Sequence, residues 1–228
     1  MRIKALIFFL CISNLISSQV RYDRSTWIVK GNITALFDIF TFPTIQLSVE
    51  KRLTRYFSIT PEIGYQIYNF RRADTTFYDP HGFRANIEFR YYISQFVKTG
   101  LSSKIVRYYV AVQPFYTKNQ YNTIISYHTR DNPTAWIDDE FGVRKNTFGV
   151  DALFGFQKPV SDKLVLDLYG GIGILNRTLS NTQLYYNEDS GDLMGGSQLI
   201  KYFKKFNLSE SSGIYPNIMF GIKIGYKL

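Results

Sequence analysis

The sequence closes with PNIMFGIKIGYKL, residues Pro216 to Leu228, in which every second residue is apolar. Side chains of a β-strand point alternately to its two faces, so the apolar residues share one face. That face carries Pro216, Ile218, Phe220, Ile222, Ile224, Tyr226 and Leu228. The other face is polar or small, with Asn217, Gly221, Lys223, Gly225 and Lys227. The stretch predicts a strand whose apolar face packs either on the core of a soluble sheet or against lipid.

The same period-two alternation recurs in seven earlier segments of the chain. They cover residues 33–39, 45–50, 57–70, 83–93, 106–116, 148–157 and 164–174. A strict alternation of this kind indicates strands and disfavours helices, whose apolar residues repeat every three to four positions. We therefore predict an all-β protein with eight strands.

The connections between these segments alternate in length. Residues 51–56, 94–104 and 159–163 form short or moderate connections, whereas 71–82, 118–145 and 177–213 are long and rich in polar residues. The first connection, a short turn at Phe42–Pro43, departs from the pattern. Short turns on one rim and long loops on the other are typical of bacterial outer-membrane barrels. The pattern predicts an eight-stranded antiparallel up-and-down barrel.

Alternation alone does not decide which face points outward. In a soluble lipocalin-like barrel the apolar face lines a cavity for a hydrophobic ligand, and in a transmembrane β-barrel it meets lipid. The polar face combines many glycines with charges of both signs, which suits the crowded lumen of a small barrel. Aromatic residues make up 17% of the chain and gather near segment ends, as in the aromatic girdles of membrane proteins. We predict the membrane arrangement, with a lumenal charge network of Asp38, Glu50, Glu62, Glu88, Arg84, Arg90, Arg107, Asp151, Asp167 and Lys223.

Residues 1–18 have the pattern of a secretory signal peptide, with two cations followed by an apolar run and small polar residues. The single cysteine, Cys11, lies in this segment, so we expect a mature chain, residues 19–228, without thiol chemistry. The whole sequence has a formal net charge of +9. For an exported chain this favours attraction to anionic lipid or surface glycans and disfavours nucleic acid.

Two stretches resemble known outer-membrane proteins. The final strand is similar to the C-terminal insertion signal that the outer-membrane assembly machinery recognises, with Phe220, Ile222, Ile224, Tyr226 and Leu228 as its apolar positions. That signal usually ends in Phe, whereas Leu228 stands here. The stretch GNITALFDIFTFPTIQLSVEKRLTRYFSITPEIGYQIY, from Gly31 to Tyr68, and FRYYI at Phe89–Ile93 resemble a family of small outer-membrane β-barrels of unknown function. The resemblance implies an eight-stranded barrel in the bacterial outer membrane and no established activity.

The best candidate for catalysis is the segment ISYHTRDNP, because Ser126 and His128 would share one face of a strand and Asp131 follows. A lipid A-modifying esterase needs such a nucleophile and base in contact. The His-x-Ser order of outer-membrane deacylases is absent, since Arg130 follows His128 by two residues. His81 lies in a turn, and the acidic run Asp138–Glu140 could hold calcium but is typical of a solvated turn.

The leading hypothesis from the sequence is a non-enzymatic barrel without cofactor or metal. The expected partners are outer-membrane lipid, lipopolysaccharide and the assembly machinery, with a protein or glycan bound through the long surface loops. A narrow ion-conducting lumen stays open as an alternative to a lumen plugged by its charges.

Overall fold

The computed structural model of the chain describes residues 27–37, 43–66, 77–93, 106–129, 132–187, 189, 191–193 and 210–228. These residues form nine strands and one 3-10 helix. The strands are β1 Trp27–Asn32, β2 Ile45–Arg52, β3 Phe57–Gln66, β4 Phe77–Tyr92, β5 Arg107–Thr129, β6 Asn132–Pro159, β7 Leu164–Thr182, β8 Gly191–Leu193 and β9 Ser211–Lys227. The predicted signal peptide lies outside the described residues and stays a prediction.

Eight strands close into a ring in which every pairing is antiparallel. β1 to β7 pair in sequence order, β9 pairs with β7, and β9 also pairs with β1. The closing register places Ile28 opposite Lys227 and Asn32 opposite Lys223. The short β8 stands outside the ring and pairs with the far end of β5. The predicted eight-stranded up-and-down barrel is confirmed.

One rim of the barrel is built from tight turns. Between β2 and β3, the Leu53 and Thr54 amides donate to the Phe57 carbonyl at 2.9 and 3.1 Å. Between β6 and β7, the Val160 amide donates to the Leu164 carbonyl at 2.8 Å. We call this the lower rim. The first residue of β1, Trp27, and the last residue of β9, Lys227, also lie there.

The predicted position of the first strand is wrong. Residues 34–37 form the 3-10 helix, and β1 lies just before it at Trp27–Asn32. The side chain of Asn32 explains the break, because its Oδ1 accepts hydrogen bonds from the Thr34 hydroxyl at 2.8 Å and the Ala35 amide at 3.3 Å. A side chain that bonds the backbone in this way competes with the strand ladder and favours a turn.

The prediction of an irregular loop over residues 118–145 is also wrong. β5 and β6 continue through it as one hairpin, in register from Arg107 opposite Gln157 to Tyr127 opposite Ile137. From Thr117 to Thr129 this adds about 40 Å of strand, at roughly 3.3 Å per residue. We call the hairpin between residues 119 and 145, together with the adjoining end of β7 and β8, the blade. It rises from the rim opposite the tight turns, the upper rim.

Candidate functional site

The barrel lumen contains a cluster of ion pairs between strands that are distant in sequence. Lys30 Nζ lies 2.6 Å from Glu50 Oε2 and 2.5 Å from Asp167 Oδ2. Arg90 Nη1 lies 2.6 Å from the same Asp167 oxygen, and the Arg90 guanidinium also pairs with Glu88. These contacts join β1, β2, β4 and β7 across the centre of the barrel.

A third cation extends the cluster toward β3. Lys223 Nζ lies 2.6 Å from Glu62 Oε2 and also pairs with Glu88. It stands 4.9 Å from the centre of the Tyr169 ring, as Arg90 stands 4.3 Å from that of Tyr109. Such contacts between cations and ring faces strengthen when water is excluded. With Lys223 on β9 and Glu62 on β3, the cluster joins six strands of the ring: β1, β2, β3, β4, β7 and β9.

Neutral side chains supply the remaining hydrogen bonds of the carboxylates. Tyr92 donates to Glu50 at 2.5 Å and Tyr109 to Asp167 at 2.7 Å. Gln157 Nε2 donates to Glu50 at 2.9 Å, and Asn86 Nδ2 donates to Glu62 at 2.8 Å. Buried charges are tolerated when they are paired and their other lone pairs are satisfied. This arrangement meets that condition for the carboxylates of Glu50 and Asp167.

The cluster is electrically balanced and fills the lumen. Arg52 Nε approaches Glu50 at 4.0 Å, which gives four cations and four carboxylates in the cluster: Lys30, Arg52, Arg90, Lys223, Glu50, Glu62, Glu88 and Asp167. The side chains of all except Arg52 and Glu62 are 0% exposed, and those two are 11% and 3% exposed. Water therefore does not reach the other six side chains, which lie in the lumen. We call these residues the lumenal plug.

Four of the predicted network residues lie outside the lumenal plug. Asp151 is buried above the plug and accepts a hydrogen bond from Asn217 at 2.7 Å. Arg84 lies over the Phe115 ring at 4.9 Å. Arg107, at the lower end of β5, forms no ion pair with any residue that the structure describes. The fourth, Asp38, lies outside the described residues. The other six predicted residues all belong to the plug.

Lys30 and Arg52 were not predicted. Lys30 was missed because the first strand was placed after it, although the segment WIVKGN alternates in the required way. Glycines in the strands leave room for lumenal side chains. A Cβ on Gly173 would overlap the Asp151 carboxylate. These close approaches explain glycine within regular strands.

The outer face of the ring is apolar between its two rims. On β9, Ile218 is 81% exposed, whereas the inward Lys223 is 0% exposed. Every strand of the ring presents outward apolar side chains of this kind, including Val29, Leu47, Ile63, Phe89, Val112, Phe154, Ile172 and Phe220. A soluble barrel would have the opposite polarity, so the lipocalin-like alternative is wrong. The chain forms a transmembrane β-barrel.

Aromatic side chains border this apolar band above and below. Phe57 and Tyr91 contact each other at the lower border, with ring centres 5.0 Å apart, and Phe83 and Tyr116 do so at the upper border, 5.6 Å apart. These are the positions at which membrane barrels carry their girdles. The predicted insertion-signal residues Phe220, Ile222, Ile224, Tyr226 and Leu228 all face outward on or beside β9. Their role in assembly stays a prediction.

The blade has its own apolar core. The inward side chains that are buried there are Tyr121, Ile125, Phe141, Val143 and Leu179, covered by Leu184, Tyr186 and Leu193. Burial raises the pKa of the Tyr121 hydroxyl to about 12, so it stays protonated at neutral pH. Asp139 Oδ2 accepts hydrogen bonds from the Tyr185 and Tyr186 amides at 2.8 Å each. The blade is thus a packed unit.

Ser126 and His128, the best candidates for catalysis in the sequence, lie on the outward face of the blade. The Ser126 hydroxyl donates to Asp138 Oδ1 at 2.6 Å, and the His128 ring packs against Trp136 with centres 4.9 Å apart. Within the described part of the blade, Ser126 and His128 share no hydrogen bond, and Asp131 lies outside it. The strand alternation separates Asp139, which points inward, from the outward Asp138 and Glu140. The arrangement brings together neither a Ser–His pair nor a set of three carboxylates.

Two kinds of feature are absent from the described residues. They contain no group of three or more histidine, cysteine, aspartate or glutamate side chains that could hold a metal ion. In the same part of the chain, no helix combines the length and apolar character needed to cross a membrane.

Comparison with known proteins gives matches in structure alone. No family model and no curated protein matches the sequence. A major outer membrane protein from Thermus thermophilus is similar over 90% of this chain and 100% of its own, with a TM-score of 0.46 and 12% identity. Acinetobacter baumannii CarO is similar over 89% of this chain and 96% of its own, with a TM-score of 0.38 and 11% identity. The barrel assignment stands on the strand pairing and side-chain polarity of this chain itself.

Proposed function

We propose that the chain is a non-enzymatic barrel of the bacterial outer membrane that holds the blade at the cell surface for contact with a protein or glycan. The lumenal plug supports this proposal most strongly. Six of its eight side chains are fully buried in the lumen, which favours a barrel that serves as an anchor over one that conducts ions. The apolar core of the blade adds to it, because a packed projection of this length has its own defined shape.

A first experiment tests the sealed anchor. We expect the purified protein to migrate faster on SDS gels before boiling than after it, and to give no ion conductance when inserted into planar bilayers. Stable conductance steps from a sample with intact heat-modifiability would contradict the sealed lumen and restore the conducting alternative.

A second experiment tests where the blade lies. The only cysteine, Cys11, belongs to the predicted signal peptide, so single cysteines can be introduced without a background. We expect a membrane-impermeant maleimide to label Ser126→Cys on intact cells and to label Thr54→Cys, in a lower-rim turn, only after the cells are lysed. The reverse labelling would place the blade in the periplasm and would refute its role at the cell surface.

The lipid A-modifying enzyme remains the alternative from the sequence, and no contact described above favours it. Replacement of His128 would change lipid A structure if it held, and would leave that structure unchanged under the proposed function.

A further inference from the structure

The upper border of the apolar band is followed by two rows of outward side chains that are mostly polar. The pairing registers place Lys118 opposite Asn146, and Asn146 opposite Thr178, in the row next to the girdle residues Tyr116 and Phe148. In the next row, Gln120 lies opposite both His81 and Arg144. We call six of the polar side chains in these two rows the polar belt: Lys118, Asn146, Thr178, His81, Gln120 and Arg144.

The polar belt is rich in hydrogen-bond donors and positively charged. Lys118 and Arg144 lie on neighbouring strands as diagonal partners, which in an antiparallel pair are about 7–8 Å apart. Two long cationic side chains at that separation can reach one phosphate group. On β6 the nearest outward carboxylate is Glu140, two outward positions beyond Arg144. On β4 the exposed Asp79 lies one outward position beyond His81. Among the described residues, neither Lys118 nor Arg144 forms an ion pair.

Depth in the membrane decides what this surface meets. The outward side chains change from apolar to polar between Tyr116 and Lys118 on β5, and between Phe148 and Asn146 on β6. Aromatic girdles mark the boundary between hydrocarbon and headgroups. The polar belt therefore lies at headgroup level on the side of the blade. The opposite rim differs, because two of its cations lie over rings, with Lys51 4.8 Å from the Trp27 centroid and Lys163 5.7 Å from that of Tyr226.

We propose that Lys118 and Arg144 bind a phosphate of a phosphorylated glycolipid headgroup in the outer leaflet, with Asn146 available to its sugar hydroxyls. Arginine and lysine together suit phosphate, since arginine donates two parallel hydrogen bonds and lysine adds a compact charge. This inference rests on the proposed outer-membrane location. It places the binding site for the headgroup phosphate on one side of the barrel, on β4 to β7, rather than around the whole circumference.

The test uses the full chain in detergent micelles and compares two matched double variants. Lys118→Gln with Arg144→Gln removes both charges of the polar belt, and Lys51→Gln with Lys163→Gln removes two charges from the opposite rim. Binding of diphosphorylated lipid A and of chemically dephosphorylated lipid A is measured by native mass spectrometry. Loss of two charge-assisted contacts should weaken binding of the diphosphorylated form at least about tenfold in the first variant. The second variant should bind like the wild type, and dephosphorylated lipid A should not distinguish the proteins.

Three results would overturn the proposal. One is undiminished binding by the first variant, and another is an equal loss in both variants, which would indicate unspecific charge attraction. The third is complete displacement of lipid A by inorganic phosphate at matched phosphate concentration, which would indicate a general anion site. Heat-modifiability is recorded for each sample, so a folded barrel that fails to bind refutes only the headgroup site. A sample without the gel shift refutes the membrane barrel as well.

Discussion

The barrel and the blade share two strands but distribute their side chains in opposite ways. Within the barrel, β5 points Val112 outward at 51% exposure and buries Gln113 in the lumen. Further along the same strand and on the same two faces, Asn122 points outward and Tyr121 is buried in the blade core. β6 repeats the change in the other chain direction, from an inward Asp151 to an inward Phe141. The backbone is continuous, and at these positions the polarity inverts.

The surroundings of each region explain this inversion. Water outside the blade drives apolar side chains to its inward face, as in any soluble sheet. Hydrocarbon outside the barrel provides no such drive, and it excludes polar groups from the outward face, so these collect in the lumen. The point of inversion on β5 and β6 is therefore a structural marker of the membrane surface. It also defines the level at which the polar belt lies.

The largest effect should come from opening the lumenal plug. Arg90→Ala leaves the buried carboxylates of Glu88 and Asp167 short of a cation, which we expect to lower the free energy of unfolding by about 3–5 kcal/mol. Arg107→Ala is the control, because Arg107 forms no ion pair with the described residues, and it should cost less than about 1 kcal/mol. Urea unfolding followed by the gel shift measures both. Equal losses would mean that the plug is not the stabilising feature.

The next effect should be confined to the blade. Phe141 is 2% exposed in the blade core, so Phe141→Ala should cost about 3–5 kcal/mol of local stability through lost burial and cavity formation. Because the ring of strands closes without the blade, the gel shift and its urea midpoint should stay unchanged. Hydrogen exchange of the blade amides measures the local loss. A simultaneous fall in barrel stability would contradict the independence of the two regions.

The smallest of the three effects distinguishes the two outward surfaces directly. Val112→Arg places a cation near the middle of the apolar band and should cost about 2–4 kcal/mol in a lipid bilayer. Asn122→Arg, on the same face of the same strand, enters water and should stay within about 0.5 kcal/mol. The free energy of unfolding of each variant, measured in lipid vesicles, tests this expectation. Similar costs at both positions would refute the assignment of the polarity inversion to the membrane surface.

Sequence reasoning found the barrel but misplaced parts of it for identifiable reasons. It stopped β5 at residue 116 because the apolar residues changed faces there, although the period of two continued through Tyr121 and Ile125. It also placed the first strand too late, because Ile33, Ala35 and Phe37 alternate as a strand would. The side chain of Asn32, which bonds the Thr34 hydroxyl and Ala35 amide, overrides that pattern. Lys30 was missed as a result.

The sequence by itself determined the class of the protein and seven of the eight strands of the ring, because alternation is a local property that each segment carries alone. It also supplied most of the charges of the lumenal plug. Only the tertiary structure decided which charges meet. Lys30 and Asp167 lie 137 positions apart, and they pair because ring closure brings β1 and β7 to either side of β9. Likewise, only strand register places Lys118 and Arg144 together above the girdle, since that contact depends on how two strands align.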